Sequence, residues 1–247
     1  MNMKKYILII ILFLTTMQMS GQVLISLILG DKLNSGQIEF GLIGGGNWSK
    51  ISGLSSHNFE SNFNLGFYFD IKLKKPWYIN TGVLVKSNLG TNKLTLSDLE
   101  TIGAKSYEGD GTYHQQINAF QVPMLIRYRS KINLFAEAGI QAIWMYKSFV
   151  EYNWEPNDNE SVTYKENNKE AINPIDVGVM AGLGYKLKNK YDLGMTFSLR
   201  YYYGFVNVYK GISGTNNSSL YLEVTLPIGA KKAMAKRAKK EKEKNKK

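Results

Sequence analysis

Residues 63–73 read Phe63-Asn64-Leu65-Gly66-Phe67-Tyr68-Phe69-Asp70-Ile71-Lys72-Leu73. Every odd position is apolar, and every even one is polar, small or amphipathic. Successive side chains of an extended chain point to opposite faces, so this alternation predicts a strand with one apolar and one polar face.

The same period recurs on both sides of this stretch. It appears in Phe40-Leu42-Gly44-Gly46-Trp48, Trp77-Ile79-Thr81-Val83-Val85 and Phe120-Val122-Met124-Ile126-Tyr128. It returns in Leu134-Ala136-Ala138-Ile140-Ala142-Trp144, Val177-Val179-Ala181-Leu183-Tyr185, Leu193-Met195-Phe197-Leu199-Tyr201 and Leu220-Leu222-Val224-Leu226-Ile228. From residue 38 onward no helical period is sustained. Eight strands are expected, each close to the roughly 9–11 residues that a strand tilted by about 45° needs to cross a bilayer.

The connections alternate in length. Short polar turns centre on Lys74-Lys75-Pro76, Ser130-Lys131 and Lys188-Asn189-Lys190, whereas the other four links span 14, 34, 32 and 18 residues. All short turns then lie at one end and all long loops at the other, as in outer-membrane barrels with short periplasmic turns and long external loops. Aromatic residues gather near both ends. Trp48, Phe63, Trp144, Tyr146, Tyr201 and Tyr203 lie toward the long loops, and Phe40, Trp77, Tyr128, Tyr185 and Tyr191 toward the short turns. Paired belts of this kind mark the two lipid–water boundaries. A soluble lipocalin-like barrel would bury the apolar face instead, and Gly46-Asn47-Trp48 matches its short G-x-W signal. Loop asymmetry, paired belts and the N-terminal leader favour the membrane reading.

That leader is basic over Met1–Lys5 and apolar over the nine residues Tyr6–Leu14, then turns polar. This is the layout of a signal peptide, and the run is too short to span a bilayer as a helix. Residues 1–21 are read as the signal peptide and 22–36 as an N-terminal periplasmic segment, in which Val23–Leu29 forms a second short apolar patch. The barrel is placed at 37–229 and a basic disordered periplasmic tail at 230–247.

Of the 247 residues none is cysteine, which excludes disulfides, thiolate metal sites and cysteine nucleophiles. The net charge is +11, of which Lys231–Lys247 supplies +8 and Lys4 and Lys5 another +2. The body is therefore nearly neutral and offers no basic face for nucleic acid. The tail is too charged and repetitive to form a core, and it suits attraction to anionic headgroups or cell-wall polymers.

The face opposite the apolar one carries Glu39, Asn47, Asp70, Lys72, Asn80, Lys86, Gln121, Arg127, Glu137, Gln141, Asp176, Lys186, Thr196, Ser198, Arg200, Glu223 and Thr225. An eight-stranded barrel has an interior only wide enough for side chains to fill. Inward glycines, Gly178 and Gly182 among them, make room for Tyr68, Tyr78 and Tyr202. Arg127, Glu137, Asp176, Arg200 and Glu223 are the proposed interior charge network. A narrow polar path or charge gate would use the same residues, but buried charges must be paired, which favours a salt-bridged core. Pro123, in mid-strand, is expected to mark a bulge because proline cannot donate to a ladder.

Catalytic, cofactor and metal sites are not expected. His57 and His114 lie in or beside the polar external loops, and no Ser–His–acid arrangement is evident in their spacing. Glu108-Gly109-Asp110-Gly111 lacks the pattern of a calcium loop. The segment Glu151–Asn173 reads as a solvated external loop.

Several segments resemble PorT-type outer-membrane β-barrel proteins, a family common in Bacteroidota-like bacteria. They are Leu29-Gly30-Asp31-Lys32-Leu33-Asn34 followed by Glu39-Phe40-Gly41-Leu42, then Phe120–Tyr128, Glu137-Ala138-Gly139, Ala181–Tyr185 and Arg200–Asn207. The likeness spans about residues 23–229. It implies an outer-membrane barrel, and some members assist a protein-secretion apparatus; there are no agreed catalytic residues to carry over. The chain departs from the common pattern of an aromatic final residue, since its last strand ends Pro227-Ile228-Gly229-Ala230.

The expectation is an all-β, eight-stranded antiparallel up-and-down transmembrane β-barrel in the bacterial outer membrane, monomeric, with both termini periplasmic. Its leading role is non-enzymatic: a structural, partner-binding or assembly component of the envelope. A narrow channel or transporter comes second and a lipid-modifying enzyme third. The expected partners are outer-membrane lipid, lipopolysaccharide and an envelope or secretion-complex protein, with no nucleic acid and no cofactor.

Overall fold

A computed structural model describes residues 34, 37–56, 58–157, 160–187, 193–228, 235, 238 and 239. The leader, most of the N-terminal segment, His57, the turn at Lys188–Lys190, Tyr191 and most of the tail lie outside the described residues.

The strands are β1 (Ile38–Ile51), β2 (Asn58–Lys72), β3 (Trp77–Leu94), β4 (Thr112–Arg129), β5 (Leu134–Asn157), β6 (Glu160–Asn167), β7 (Ile175–Lys186), β8 (Thr196–Asn207) and β9 (Asn216–Pro227). One short helix, α1 (Leu96–Ile102), follows β3. Eight strands close into a ring in the order β4-β3-β2-β1-β9-β8-β7-β5, sealed by β4 against β5. Every pairing is antiparallel. The ring is the expected up-and-down barrel, and closure leaves it no edge strand in lipid. The ninth strand, β6, lies outside the ring; among the described residues it pairs with the outer end of β5.

Inside and outside alternate as the sequence predicts through most of the ring. Val122, Met124, Ile126 and Tyr128 of β4 are exposed, while Gln121, Leu125 and Arg127 are buried. Of the aromatics expected in the two belts, Trp48, Phe63, Trp77, Tyr128, Trp144, Tyr185, Tyr201 and Tyr203 are exposed on the outer surface. Phe40 departs from this belt. It is buried beside Phe69, with ring centroids 4.8 Å apart.

Several strands run well past their expected ends toward the long loops. β3 continues to Leu94, β4 begins at Thr112 and β5 extends to Asn157. Within this extension the pattern inverts. Leu89, Ile117, Val150 and Tyr152 are buried inside, and Lys93, Thr112 and Lys147 are exposed outside. Outside the membrane the outer surface is wet, so the apolar side chains turn inward as they would in a soluble protein.

Two bulges help to reset the faces. One lies between Leu84 and Ser87 of β3, the other at Tyr146 of β5. The first puts Val85 and Lys86 together on the outside, so Lys86 is exposed rather than inward. Pro123 marks no bulge. The β3–β4 register is the same on both of its sides, and the Pro123 carbonyl accepts a 2.8 Å bond from the Thr81 hydroxyl.

The segment expected as a solvated loop over Glu151–Asn173 is the end of β5, the strand β6 and a 3₁₀ turn at Lys169–Ala171. Its Tyr152 is buried. The helix α1 is a further departure. Seven residues are too few to show a period, but Thr95-Leu96-Ser97-Asp98 is a capping box: Thr95 Oγ1 accepts from Asp98 N and Asp98 Oδ2 accepts from Thr95 N. Leu99 and Ile102 of α1 then pack into the apolar cluster with Leu89, Ile117 and Tyr152.

Candidate functional site: the charged lumen

Four of the five sequence-selected residues meet. Arg127 and Glu137 are direct register partners on β4 and β5, and Glu137 stands opposite Gly182, which stands opposite Arg200. Arg127 Nε donates to Glu137 Oε2 at 2.8 Å, and Arg200 Nε donates to Glu137 Oε1 at 2.7 Å. A single carboxylate thus bridges two guanidinium groups. Arg200 Nη1 also donates to Glu223 Oε2 at 2.8 Å, and Nη2 to Asn80 Oδ1 at 2.8 Å.

Gly182 is what lets this row form. Arg200 crosses over it to reach Glu137, and a methyl group there would lie 2.8 Å from Arg200 Cγ. At two strands' remove, the carboxylate and the guanidinium would otherwise be separated by a side chain.

Three further residues complete the cluster. Arg127 Nη1 lies 3.2 Å from Asp70 Oδ1, and Lys186 Nζ lies 3.6 Å from Asp70 Oδ2. Lys186 Nζ donates to both oxygens of Glu39, at 2.9 and 2.8 Å, and the Tyr68 hydroxyl donates to Glu39 at 2.8 Å. The inward parity of Glu39, Asp70 and Lys186 was visible in the sequence, but their mutual reach was not. All of these charges are buried.

Asp176 does not join them. It lies on β7 six residues from Gly182, the register partner of Arg200. At about 3.3 Å per residue that is roughly 20 Å along the strand. Its carboxylate instead accepts from Asn217 Nδ2 at 3.0 Å and from Val206 N at 3.3 Å. A methyl group on Gly204 would come within 2.3 Å of Asp176 Oδ2, so glycine is needed there for this side chain to fit.

Above the charges the lumen is filled by amides and tyrosines. Gln121 Oε1 accepts from Gln141 at 3.1 Å and from the Tyr221 hydroxyl at 2.8 Å. Gln115 donates to Ser148 at 2.8 Å and accepts from Tyr209 at 2.8 Å. The apolar cluster beneath α1 closes the far end. Asp98 ties that helix down: besides capping α1, its carboxylate accepts from the backbone of Ser55 and Ser56. Burial works to raise its pKa, but the backbone donors of Thr95, Ser55 and Ser56, with the Thr95 hydroxyl, hold it below the ordinary aspartate value.

At the outer rim His114 stands on β4, its Nε2 3.2 Å from Glu151 Oε2. Lys165 of β6 holds the other oxygen of Glu151 at 2.6 Å. The histidine is engaged by a rim ion-pair cluster. Among the described residues no group of three or more His, Asp or Glu side chains is arranged to hold a metal ion.

The chemistry available to the lumen is charge pairing across a closed sheet. A lumen-facing polar network and a lipid-facing apolar belt are shared by outer-membrane barrels, and comparison with known proteins agrees. The family model for the outer membrane protein beta-barrel domain matches residues 31–210. The chain belongs to that family. It is a small barrel of the bacterial outer membrane.

Among solved structures, the barrel is similar to Ail, the attachment invasion locus protein of Yersinia pestis, crystallised with the heparin analogue sucrose octasulfate. The identity is 9% and the TM-score 0.41, over 76% of this chain and 97% of that one. Neisserial surface protein A matches at 7% identity and a TM-score of 0.41, over 76% and 97% of the two chains. OprG from Pseudomonas aeruginosa matches at 12% and 0.32, over 76% and 90%. No curated protein matches the chain.

Proposed function

We propose that this outer-membrane barrel is a non-enzymatic, closed-lumen component of the envelope that acts by binding a partner. The observation carrying this reading is the bridged row Arg127–Glu137–Arg200–Glu223, which pairs these buried charges with one another across the lumen. A transport path would need them facing water. The tyrosine and amide layer and the α1 plug support the same reading, since they fill the lumen above that row.

The finer assignment rests on the PorT-type resemblance of the segments around Phe120–Tyr128 and Arg200–Asn207. It suggests an envelope or secretion-complex protein as partner, with lipopolysaccharide around the external half. In this reading the leader is cleaved on export, the barrel is a monomer, and the short turns and both termini are periplasmic.

Two experiments test it. Crosslinking in the native membrane followed by affinity capture should retain a stable envelope or secretion complex. Capture of the barrel alone, together with a solute-uptake defect in a deletion strain, would replace this reading with a channel. Orientation is tested separately. The chain has no cysteine, so single cysteines at Asp110 and Lys131, both exposed, report cleanly. An impermeant maleimide on intact cells should label Asp110→Cys and spare Lys131→Cys; the opposite result would invert the barrel.

A further inference from the structure

Each strand of the ring is paired on both sides, whereas β6 stands last in the strand order, with β5 as its neighbour. Against β5 it keeps one register over six successive pairs, from Phe149–Asn167 to Trp154–Val162. Among the described residues, no hydrogen bond reaches the backbone of Val162–Asn167 from the other side. In an antiparallel pair, alternate residues turn their N–H and C=O groups away from the partner strand. This side of β6 therefore presents a regular row of donors and acceptors.

The edge is held in place. Lys165 Nζ lies 2.6 Å from Glu151 Oε1 on β5, and Thr163 Oγ1 donates to Asn153 Oδ1 at 2.8 Å. Glu166 Oε2 accepts from Lys105 N at 2.9 Å, and the Tyr164 ring stacks on Tyr107 at 5.2 Å. Natural sheets guard an edge with proline, a bulge or an outward lysine. Val162–Asn167 has no proline and no bulge, and its lysine is drawn sideways to Glu151. Val162 and Tyr164 share a face with their register partners Trp154 and Tyr152, and Tyr164 is 49% exposed. Thr163 and Lys165 lie on the opposite face and are exposed. The strand pairs with β5 beyond Lys147, where the outer face of the barrel is polar, so a protein segment in water reaches it.

We propose that the partner docks on the free edge of β6, as an extended segment that adds one more strand to the β5–β6 sheet. Only an extended backbone repeats donors and acceptors at the spacing of a strand edge; a lipid or a glycan does not. The segment recognised carries apolar side chains at alternate positions, which lie beside Val162 and Tyr164. Polar ones between them lie beside Thr163 and Lys165. This assignment rests on the partner-binding reading and supplies its surface.

The test places photoreactive p-benzoylphenylalanine singly at Val162, Thr163, Tyr164 and Lys165 of the full-length protein in its native membrane, with Lys131 as the control. The crosslinked peptides are sequenced by mass spectrometry. The β6 positions should mark a single partner segment, each step along β6 moving the mark one residue along it, and Lys131 should not mark it. Thr163→Pro and Tyr164→Pro sharpen the result. One of them removes an N–H from the β5 ladder and the other an N–H from the free edge, where proline is tolerated. The variant that keeps the β5–β6 ladder, read by amide hydrogen exchange, should lose the crosslinks. Marks scattered over unrelated segments, marks on lipopolysaccharide alone, or crosslinks that persist in both proline variants would overturn strand addition. Marks on β6 of a second copy would make this a self-association edge and overturn a separate partner. A complex captured while β6 stays silent would overturn the docking surface and leave partner binding standing; capture of the barrel alone with β6 silent would overturn both.

Discussion

Around Glu137 the interior of the barrel is ionic, with two arginines sharing one carboxylate. Around Ile117 it is apolar, with Leu89, Leu99 and Tyr152 packed together under a helix. The two regions belong to the same strands, β3, β4 and β5, and differ in what lies outside them. Where Val122, Met124 and Ile126 face outward, lipid takes the apolar side chains and the polar ones are left to fill the lumen. Where Thr112 and Lys147 face outward, water takes the polar ones and the lumen closes as a soluble core does. The inside of the barrel is thus filled in two ways, by paired charges where the outer face is apolar and by hydrophobic packing where it is polar.

The difference should be sharpest in how far damage spreads. Glu137→Ala would leave Arg127 and Arg200 facing each other without their shared carboxylate. Removing one partner from a buried ionic network costs about 3–5 kcal/mol. The loss should be global, read as a lower urea midpoint in lipid vesicles and loss of the heat-modifiable band. Unchanged stability would mean that water reaches this cluster.

Leu99→Ala breaks the other closure. Truncating a buried leucine costs about 2–5 kcal/mol, but here the effect should stay local. Hydrogen exchange should speed up in α1 and the adjoining ends of β3 and β4, while the heat-modifiable band is kept. Loss of that band would show that the upper core holds the whole barrel together.

A smaller change tests the tether of α1. Asp98 has a pKa below the ordinary aspartate value, so its contribution is complete above the unfolded-state pKa, near 3.9. It is lost as the pH falls through the lowered folded value. Protection of α1 should therefore be flat through neutral pH and fall only in acid. Asp98→Asn should lower that protection by about 1 kcal/mol at neutral pH and remove the acid dependence. An acid-dependent loss persisting in Asp98→Asn would place the titrating group elsewhere.

The barrel was legible in the sequence because alternation in the membrane-embedded half is enforced on both faces. The 63–73 stretch shows it without exception. Above that level the alternation continues but changes meaning. Tyr146 and the Val85–Lys86 bulge each shift the phase by one residue, so simple alternation places Lys86 inward and ends β3 and β5 short of their upper halves. The helix α1 was signalled only by its capping box. Within the charged lumen, parity identified the face on which Glu39, Asp70, Asp176 and Lys186 lie. Height along the axis depends on the register between strands, which no single segment encodes. Asp176 was therefore grouped with residues roughly 20 Å below it, and Asp70 was left out of a network it touches.

The most direct test of closure by charge is conductance. On the closed-lumen reading, the unmodified protein in planar bilayers should show little or no steady current, because the Arg127–Glu137–Arg200–Glu223 row occupies the lumen with paired, buried charges. Arg200→Ser removes the guanidinium that joins Glu137 to Glu223 and should hydrate the lumen, giving either measurable leakage or a lower unfolding midpoint. Steady, ion-selective currents from the unmodified protein would contradict the closed lumen. Silence in both proteins with identical stability would contradict the role given to Arg200.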